Sequence, residues 1–234
     1  MSGSHRRPGK AKPGGRQLTV KVKTAGKRSA SSTRWLARQL NDPYVAEAKR
    51  LGYRSRAAFK LAQLDDRFDL IRPGARIVDL GAAPGGWTQV AVERARSAMG
   101  QGCVVAVDLS PMEPVEGAQA VHLDFLAPET PSLIRAALGG PADLVMSDMA
   151  APATGHSRTD HLRVMVLAEA AHAFAREVLA PGGAFVAKLL RGGADKQLLD
   201  ALKRDFAAVR HVKPPASRTD SAEIYVVATG FRGG

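Results

Sequence analysis

From residue 76 onward, short apolar runs alternate with segments of helical spacing, and this alternation constrains the fold more than any other feature of the chain. The runs at 76–80, 104–109, 121–125, 143–147 and 184–189 are rich in Val, Leu and Phe and too short for helices, so they are predicted strands. Between them, 88–99, 130–138 and 159–179 are predicted helices, and 196–208 follows the last strand. Strand and helix in alternation predict a doubly wound α/β fold with a mostly parallel sheet. A closing run at 224–229, with a possible strand at 209–213 before it, is expected to pair as an antiparallel edge. Two further helices, at 43–50 and 54–68, lead into the sheet, the second offering Ala57, Phe59, Leu61 and Leu64 to a buried side. With 234 residues, 45% of them hydrophobic, the chain is long enough for one such core.

Ligands of such sheets bind beyond the carboxyl ends of the strands, so the residues there matter most. After the first strand the chain reads Asp79-Leu80-Gly81-Ala82-Ala83-Pro84-Gly85-Gly86-Trp87-Thr88, a glycine-rich turn running straight into a helix. Glycines there let the backbone approach a ligand closely. The turn lacks the second glycine of the dinucleotide fingerprint, where Ala83 stands, and no Gly-Lys-Ser/Thr follows to make a phosphate loop. A nicotinamide-dependent oxidoreductase, which would share the fold, is therefore disfavoured, and a nucleoside is a better fit than a pyrophosphate. The next two predicted strands end in Asp108 and Asp124, and the fourth runs into Asp148. A carboxylate after the second strand can accept hydrogen bonds from both hydroxyls of an adenosine ribose, and one after the third can reach the adenine amino group. Trp87 is placed either to cover that ligand or to pack the start of the helix. Lys188 interrupts the apolar run Ala184-Phe185-Val186-Ala187-Lys188-Leu189-Leu190, and a charge so placed calls for a partner or a function.

Charge sets the partner class. Eleven basic residues precede the first acid, Asp42, and account for eleven of the chain's net twelve positive charges. Residues 1–33 are rich in Gly, Ser and Pro and nearly free of large apolar side chains, so they are expected to form a basic, disordered arm that binds RNA, with 34–234 as the catalytic domain. A merely solubilising tail is the alternative. No apolar run approaches the roughly 18 residues of a membrane span, and no leader pattern opens the chain, so a cytoplasmic protein without membrane contact is expected. Cys103 has no second cysteine to pair with, and the six histidines do not fall at ligand spacing, so no metal is expected. No segment reads as an oligomerisation element, and a monomer is expected.

Arg54-Ser55-Arg56-Ala57-Ala58-Phe59-Lys60-Leu61, the glycine-rich turn, Met146-Ser147-Asp148-Met149-Ala150, Phe185-Val186-Ala187-Lys188 and Glu223-Ile224-Tyr225-Val226 together resemble the FtsJ-type 2′-O-ribose RNA methyltransferases. The likeness covers about 27–229 and implies a Rossmann-like fold, a mostly parallel seven-stranded sheet with helices on both faces, which agrees with the strand count. It is closest to the bacterial members acting on the large ribosomal subunit, through Lys27-Arg28-Ser29-Ala30-Ser31-Ser32-Thr33-Arg34-Trp35-Leu36 and Asp108-Leu109-Ser110-Pro111-Met112. The resemblance implies a catalytic tetrad of Lys60, Asp148, Lys188 and Glu223, and S-adenosyl-L-methionine held by Gly85, Trp87, Asp108, Asp124 and Asp148. It implies as substrate a uridine ribose of large-subunit (23S) ribosomal RNA, in the assembled 50S subunit. Two features depart from the pattern: an additional Ala151 precedes Pro152, and Ala58 stands where relatives often carry tryptophan, on what is expected to be the substrate-side wall.

The chemistry follows from the residues themselves. A ribose 2′-hydroxyl is a weak acid and a poor nucleophile, so a positioned group must orient it and manage its proton. Lys188 suits that role, either taking the proton or stabilising the developing alkoxide. Two lysines in one pocket oppose each other's charging while two carboxylates favour it, so the residues alone leave the proton's place open. Taken singly, Lys60 fits equally a wet helix face and Glu223 an edge strand. Competing readings are a transfer RNA or messenger-cap methyltransferase and a ribosome-assembly factor that binds RNA without turnover; the complete tetrad argues against the last.

Overall fold

The computed structural model describes residues 20–22, 24, 26, 29–151, 154–191 and 196–233. Most of the basic arm expected at 1–33 thus lies outside the described residues. Helix α1 (Ala30–Leu40) begins inside that stretch, capped by Ser29, whose hydroxyl accepts the Ser32 N–H at 3.2 Å. Beyond its end, Asn41 bonds Val20 twice: its Oδ1 accepts the Val20 N–H at 2.7 Å and its amide donates to the Val20 carbonyl at 3.1 Å. Helix α2 (Pro43–Leu51) follows, with Asp42 as N-cap and Pro43 in the first turn, where a missing N–H costs nothing.

Helix α3 (Ala58–Phe68) starts four residues later than its spacing predicts. The reason is local: the Arg54 N–H goes to Gln89 Oε1 at 2.8 Å, so the chain at 54–57 is held in turns. Strand β1 (Arg76–Leu80) then enters the sheet, followed by α4 (Gly86–Ala95) and β2 (Cys103–Asp108). Next come β3 (Ala118–His122), α5 (Thr130–Leu138), β4 (Ala142–Ser147), α6 (Ser157–Val178) and β5 (Leu179–Leu190). The chain closes with α7 (Lys196–Asp205), β6 (Phe206–Val212) and β7 (Glu223–Phe231).

The sheet runs β3-β2-β1-β4-β5-β7-β6, all parallel except β7. Two expectations are corrected here. Strand β3 lies three residues earlier than 121–125, because its ladder with β2 ends at the pair Asp108↔His122. Leu123 and Phe125 then leave the strand and pack against the core beneath α5 and α6. The closing antiparallel pair is not simply an edge: β7 inserts between β5 and β6, and only β6 is terminal. Its centre, Tyr225 to Ala228, is fully buried, which an edge strand of this composition would not achieve.

Side chains alternate across the sheet, and the alternation sorts them into two cores. Val78, Val145, Phe185 and Val226 face α5, α6 and α7; Ile77, Met146, Val186 and Tyr225 face α3 and α4, with Leu61, Leu64 and Trp87. Counting on by two puts Asp148, Lys188 and Glu223 on the α3 side as well. Ala58 is fully buried in this second core, at the start of α3.

Candidate active site

At the carboxyl end of the sheet, four chain segments bring Lys60, Asp148, Lys188 and Glu223 into one network. Lys60 projects from α3, Asp148 directly follows β4, Lys188 lies near the end of β5, and Glu223 opens β7. Lys188 Nζ donates to Asp148 Oδ1 at 2.9 Å and to the carbonyl of the same residue. Lys60 Nζ donates to Glu223 Oε2 at 2.7 Å. The four side chains are only 10 to 18% exposed, so neither the wet helix face nor the solvated strand end describes Lys60 or Glu223. Ser217 Oγ donates to the other oxygen of Glu223 at 2.7 Å, fixing that carboxylate.

Tyr225 joins the two pairs, and the sequence reading gave it no role. Its hydroxyl donates to Asp148 Oδ1 at 2.7 Å and accepts from Lys60 Nζ at 3.2 Å. The register explains the position: Tyr225 stands directly opposite Lys188, and two residues from Glu223 on the same face. A tyrosine in the aliphatic run Ile224-Tyr225-Val226-Val227 was a usable signal, since a buried phenol needs a partner. Burial, with Asp148 and Glu223 beside it, pushes the Tyr225 pKa well above the ordinary phenol range, so it stays a donor. Burial also opposes ionisation of Asp148, but the charges of Lys188 and Lys60 and the hydrogen bonds from Tyr225 and Lys188 outweigh it and hold this carboxyl below its usual range. Asp148 is therefore an anion that fixes cations. An ammonium has three N–H bonds, so each lysine, if charged, keeps one for a substrate oxygen.

Beside the network lies a cavity of about 930 Å³, bounded by the ends of β1 to β4 and by α6. It opens where the strand order reverses, between β1 and β4, the place where such sheets bind ligands. Asp108, Asp124 and Asp148 stand on its wall, with Leu109, Phe125, Leu126 and Leu162 supplying apolar surface. Asp108 is anchored by two backbone N–H groups, Ala83 at 2.9 Å to Oδ2 and Ser110 at 2.7 Å to Oδ1. Each of its oxygens keeps a lone pair for a ribose hydroxyl. Three carboxylates around an apolar slot suit a cationic nucleoside, so these residues fit S-adenosylmethionine.

Gly85 and Trp87, expected at the cofactor, are not among the residues that line this cavity. Trp87 is 3% exposed between α3 and α4, its indole N–H donating to the Ala57 carbonyl at 2.9 Å, which is the helix-packing alternative. Gly85, with φ +107°, faces Arg54 and Met112 behind the loop.

This strand order, with its one reversed strand, is that of the Rossmann-like methyltransferases. The sequence profile of the FtsJ-like methyltransferase family matches residues 53–231, and the chain belongs to that family. It is 64% identical to a ribosomal RNA large subunit methyltransferase E of Paramagnetospirillum magneticum, across 94% of this chain and 91% of the relative. A protein of the same name from Xanthobacter autotrophicus is 61% identical, across 94% of this chain and 87% of its own length. Among solved structures, a ribosomal RNA methyltransferase of Plasmodium falciparum superposes with a TM-score of 0.69 at 28% identity, covering 78% of this chain and all of that one. The protein is a methyltransferase.

Proposed function

We propose that this enzyme methylates the 2′-hydroxyl of a uridine ribose in large-subunit (23S) ribosomal RNA, within the assembled 50S subunit, using S-adenosyl-L-methionine, and that it works as a cytoplasmic monomer. The observation that carries the reading is the double duty of Asp148, which both walls the cavity and holds Lys188. Donor and acceptor sites therefore meet at one residue. The names of the relatives supply the substrate class, and the charge of the chain agrees with it.

S-adenosylmethionine, when bound, supplies an electrophilic sulfonium methyl. Asp108 would hold its ribose hydroxyls, Asp124 its adenine amino group, and Asp148 would lie nearest its charge; Gly85 and Trp87 would act by shaping the loop and the start of α4. On the substrate side, Lys188 orients the 2′-hydroxyl oxygen and stabilises the charge that grows on it as the new O–CH₃ bond forms. Transfer releases one proton: it leaves the 2′-hydroxyl for the Lys188 Nζ and passes from there to solvent water. Lys60, Tyr225 and Glu223 hold the network rigid around Lys188 and Asp148. The basic arm adds phosphate contacts that keep the RNA in place.

The test is transfer of labelled methyl to isolated large ribosomal subunits by wild type and Lys188→Ala, with the product nucleoside identified. The expected result is 2′-O-methyluridine from wild type only, with cofactor binding by the variant unchanged. Methylation elsewhere, equal turnover by the variant, or product on transfer RNA alone would refute the reading.

A further inference from the structure

Arg54 opens the motif Arg54-Ser55-Arg56, and a basic motif beside an RNA site invites a phosphate-binding role. Its geometry argues otherwise. The guanidinium donates to three backbone carbonyls: Nη1 to Pro84 at 3.2 Å and to Glu113 at 2.5 Å, and Nη2 to Pro114 at 2.6 Å. Pro84 belongs to the glycine-rich turn after β1; Glu113 and Pro114 belong to the loop after β2. These are the two loops whose near ends, Ala83 and Ser110, are tied together through Asp108 on the cavity wall. Asp108 clamps them from the cavity side and Arg54 from behind.

The backbone around Arg54 is fastened as firmly. Gln89, on the first turns of α4, accepts the Arg54 N–H at 2.8 Å and donates to the Gly52 carbonyl at 2.9 Å. The glycines of the turn make room for this strap. A Cβ on Gly85 would stand 2.9 Å from Arg54 Nη1 and 3.1 Å from Met112 Sδ, and one on Gly86 would collide with Ser55 Oγ. Six residues after Arg54 the same chain delivers Lys60 to the network.

We propose that Arg54 is a positioning residue for the methyl donor, a fork that locks the two cofactor loops against each other and against the segment leading to Lys60. It rests on the reading of the cavity as the S-adenosylmethionine site. A planar guanidinium can bridge two chain segments with fixed geometry, whereas a lysine ammonium keeps the charge and loses the fork.

Calorimetric titration of S-adenosylhomocysteine into wild type, Arg54→Ala and Arg54→Lys, in the absence of RNA, tests the proposal. Both variants are expected to bind about tenfold more weakly, as loss of several charged hydrogen bonds implies. In turnover, KM for the donor should rise while kcat at saturating donor stays within about twofold, and affinity for a ribosomal RNA fragment should be unchanged. Thermal melts identify any unfolding of the alanine variant, in which case the lysine variant alone decides. Donor affinity equal to wild type in Arg54→Lys, or weakened RNA binding with intact donor binding, would overturn the proposal. If wild type itself binds no S-adenosylhomocysteine, the cofactor reading of the cavity falls first.

Discussion

At the scale of single residues, Asp79 shows how a buried charge site shapes stability. It lies on β1 beneath the glycine-rich turn, 1% exposed, and its Oδ2 accepts a hydrogen bond from Thr88 Oγ1 at 2.7 Å. Burial pushes its pKa up to about 7; Asp148 and Asp108 add to the shift and the Thr88 hydrogen bond opposes it. An aspartate in an unfolded chain ionises near about 3.9. Between about pH 4 and pH 7 the folded protein therefore binds a proton that the unfolded chain lacks, and stability from this group falls as pH rises through that window. Asp79→Asn keeps the acceptor for Thr88 and removes the titration. Relative to wild type it should gain on the order of 2–3 kcal/mol between pH 5 and pH 8, less if water relaxes the site. Urea unfolding of both proteins at the two pH values measures this, and parallel curves would exonerate Asp79. Asp148 contributes in the opposite sense: its lowered pKa adds stability at neutral pH that is lost only in more acid solution.

At the scale of elements, the run up to α3 is held by a cluster that the sequence did not announce. Asp42 caps α2 by accepting the Tyr44 N–H at 3.0 Å, and the same carboxylate lies 3.0 Å from Arg56 Nε and 3.3 Å from Arg218 Nε. Arg56 also donates to the Ala216 carbonyl, so the turn after β6 is pinned to the start of α3. Asp42→Ala removes the cap and strands two half-buried cations, with an expected cost of about 2–4 kcal/mol. Asp42→Asn, which keeps the cap, should cost less. Denaturant midpoints of the two variants separate cap from charge; a loss under about 0.5 kcal/mol in both would show that the cluster holds nothing. Most helices were legible from spacing alone, α5 to the residue, because one-sided burial imposes its own period. The start of α3 and the position of β3 were not, because hydrogen bonds to Gln89 and the ladder to β2 decided them.

At the scale of the whole molecule, positive charge is concentrated at the start of the sequence. Eight basic residues precede Arg28. In the proposed reading they meet RNA phosphates, each engaged residue steepening the dependence of affinity on salt by about 0.7 to 0.9 in a double-logarithmic plot. Deleting residues 1–27 should leave RNA binding weaker and less salt-sensitive, with methyl transfer to saturating subunits retained. Equal slopes for the full and shortened proteins would assign the arm another task. Val20, clasped by Asn41, lies next to the cluster of Asp42, Arg56 and Arg218.

By itself the sequence determined the alternating α/β architecture, because apolar periodicity records which side of each element avoids water. It also displayed the acids and lysines of the site, since a charge at a strand end or inside an apolar run is costly without a purpose. Pairing between distant strands was not written locally. Only tertiary structure placed β7 between β5 and β6, setting Tyr225 opposite Lys188 as the bridge between the two ion pairs. It likewise packed Trp87 between α3 and α4 and bonded Arg54 to three backbone carbonyls of two separate loops. Those outcomes depend on which surfaces meet when the chain closes, and residue type and spacing do not carry that information.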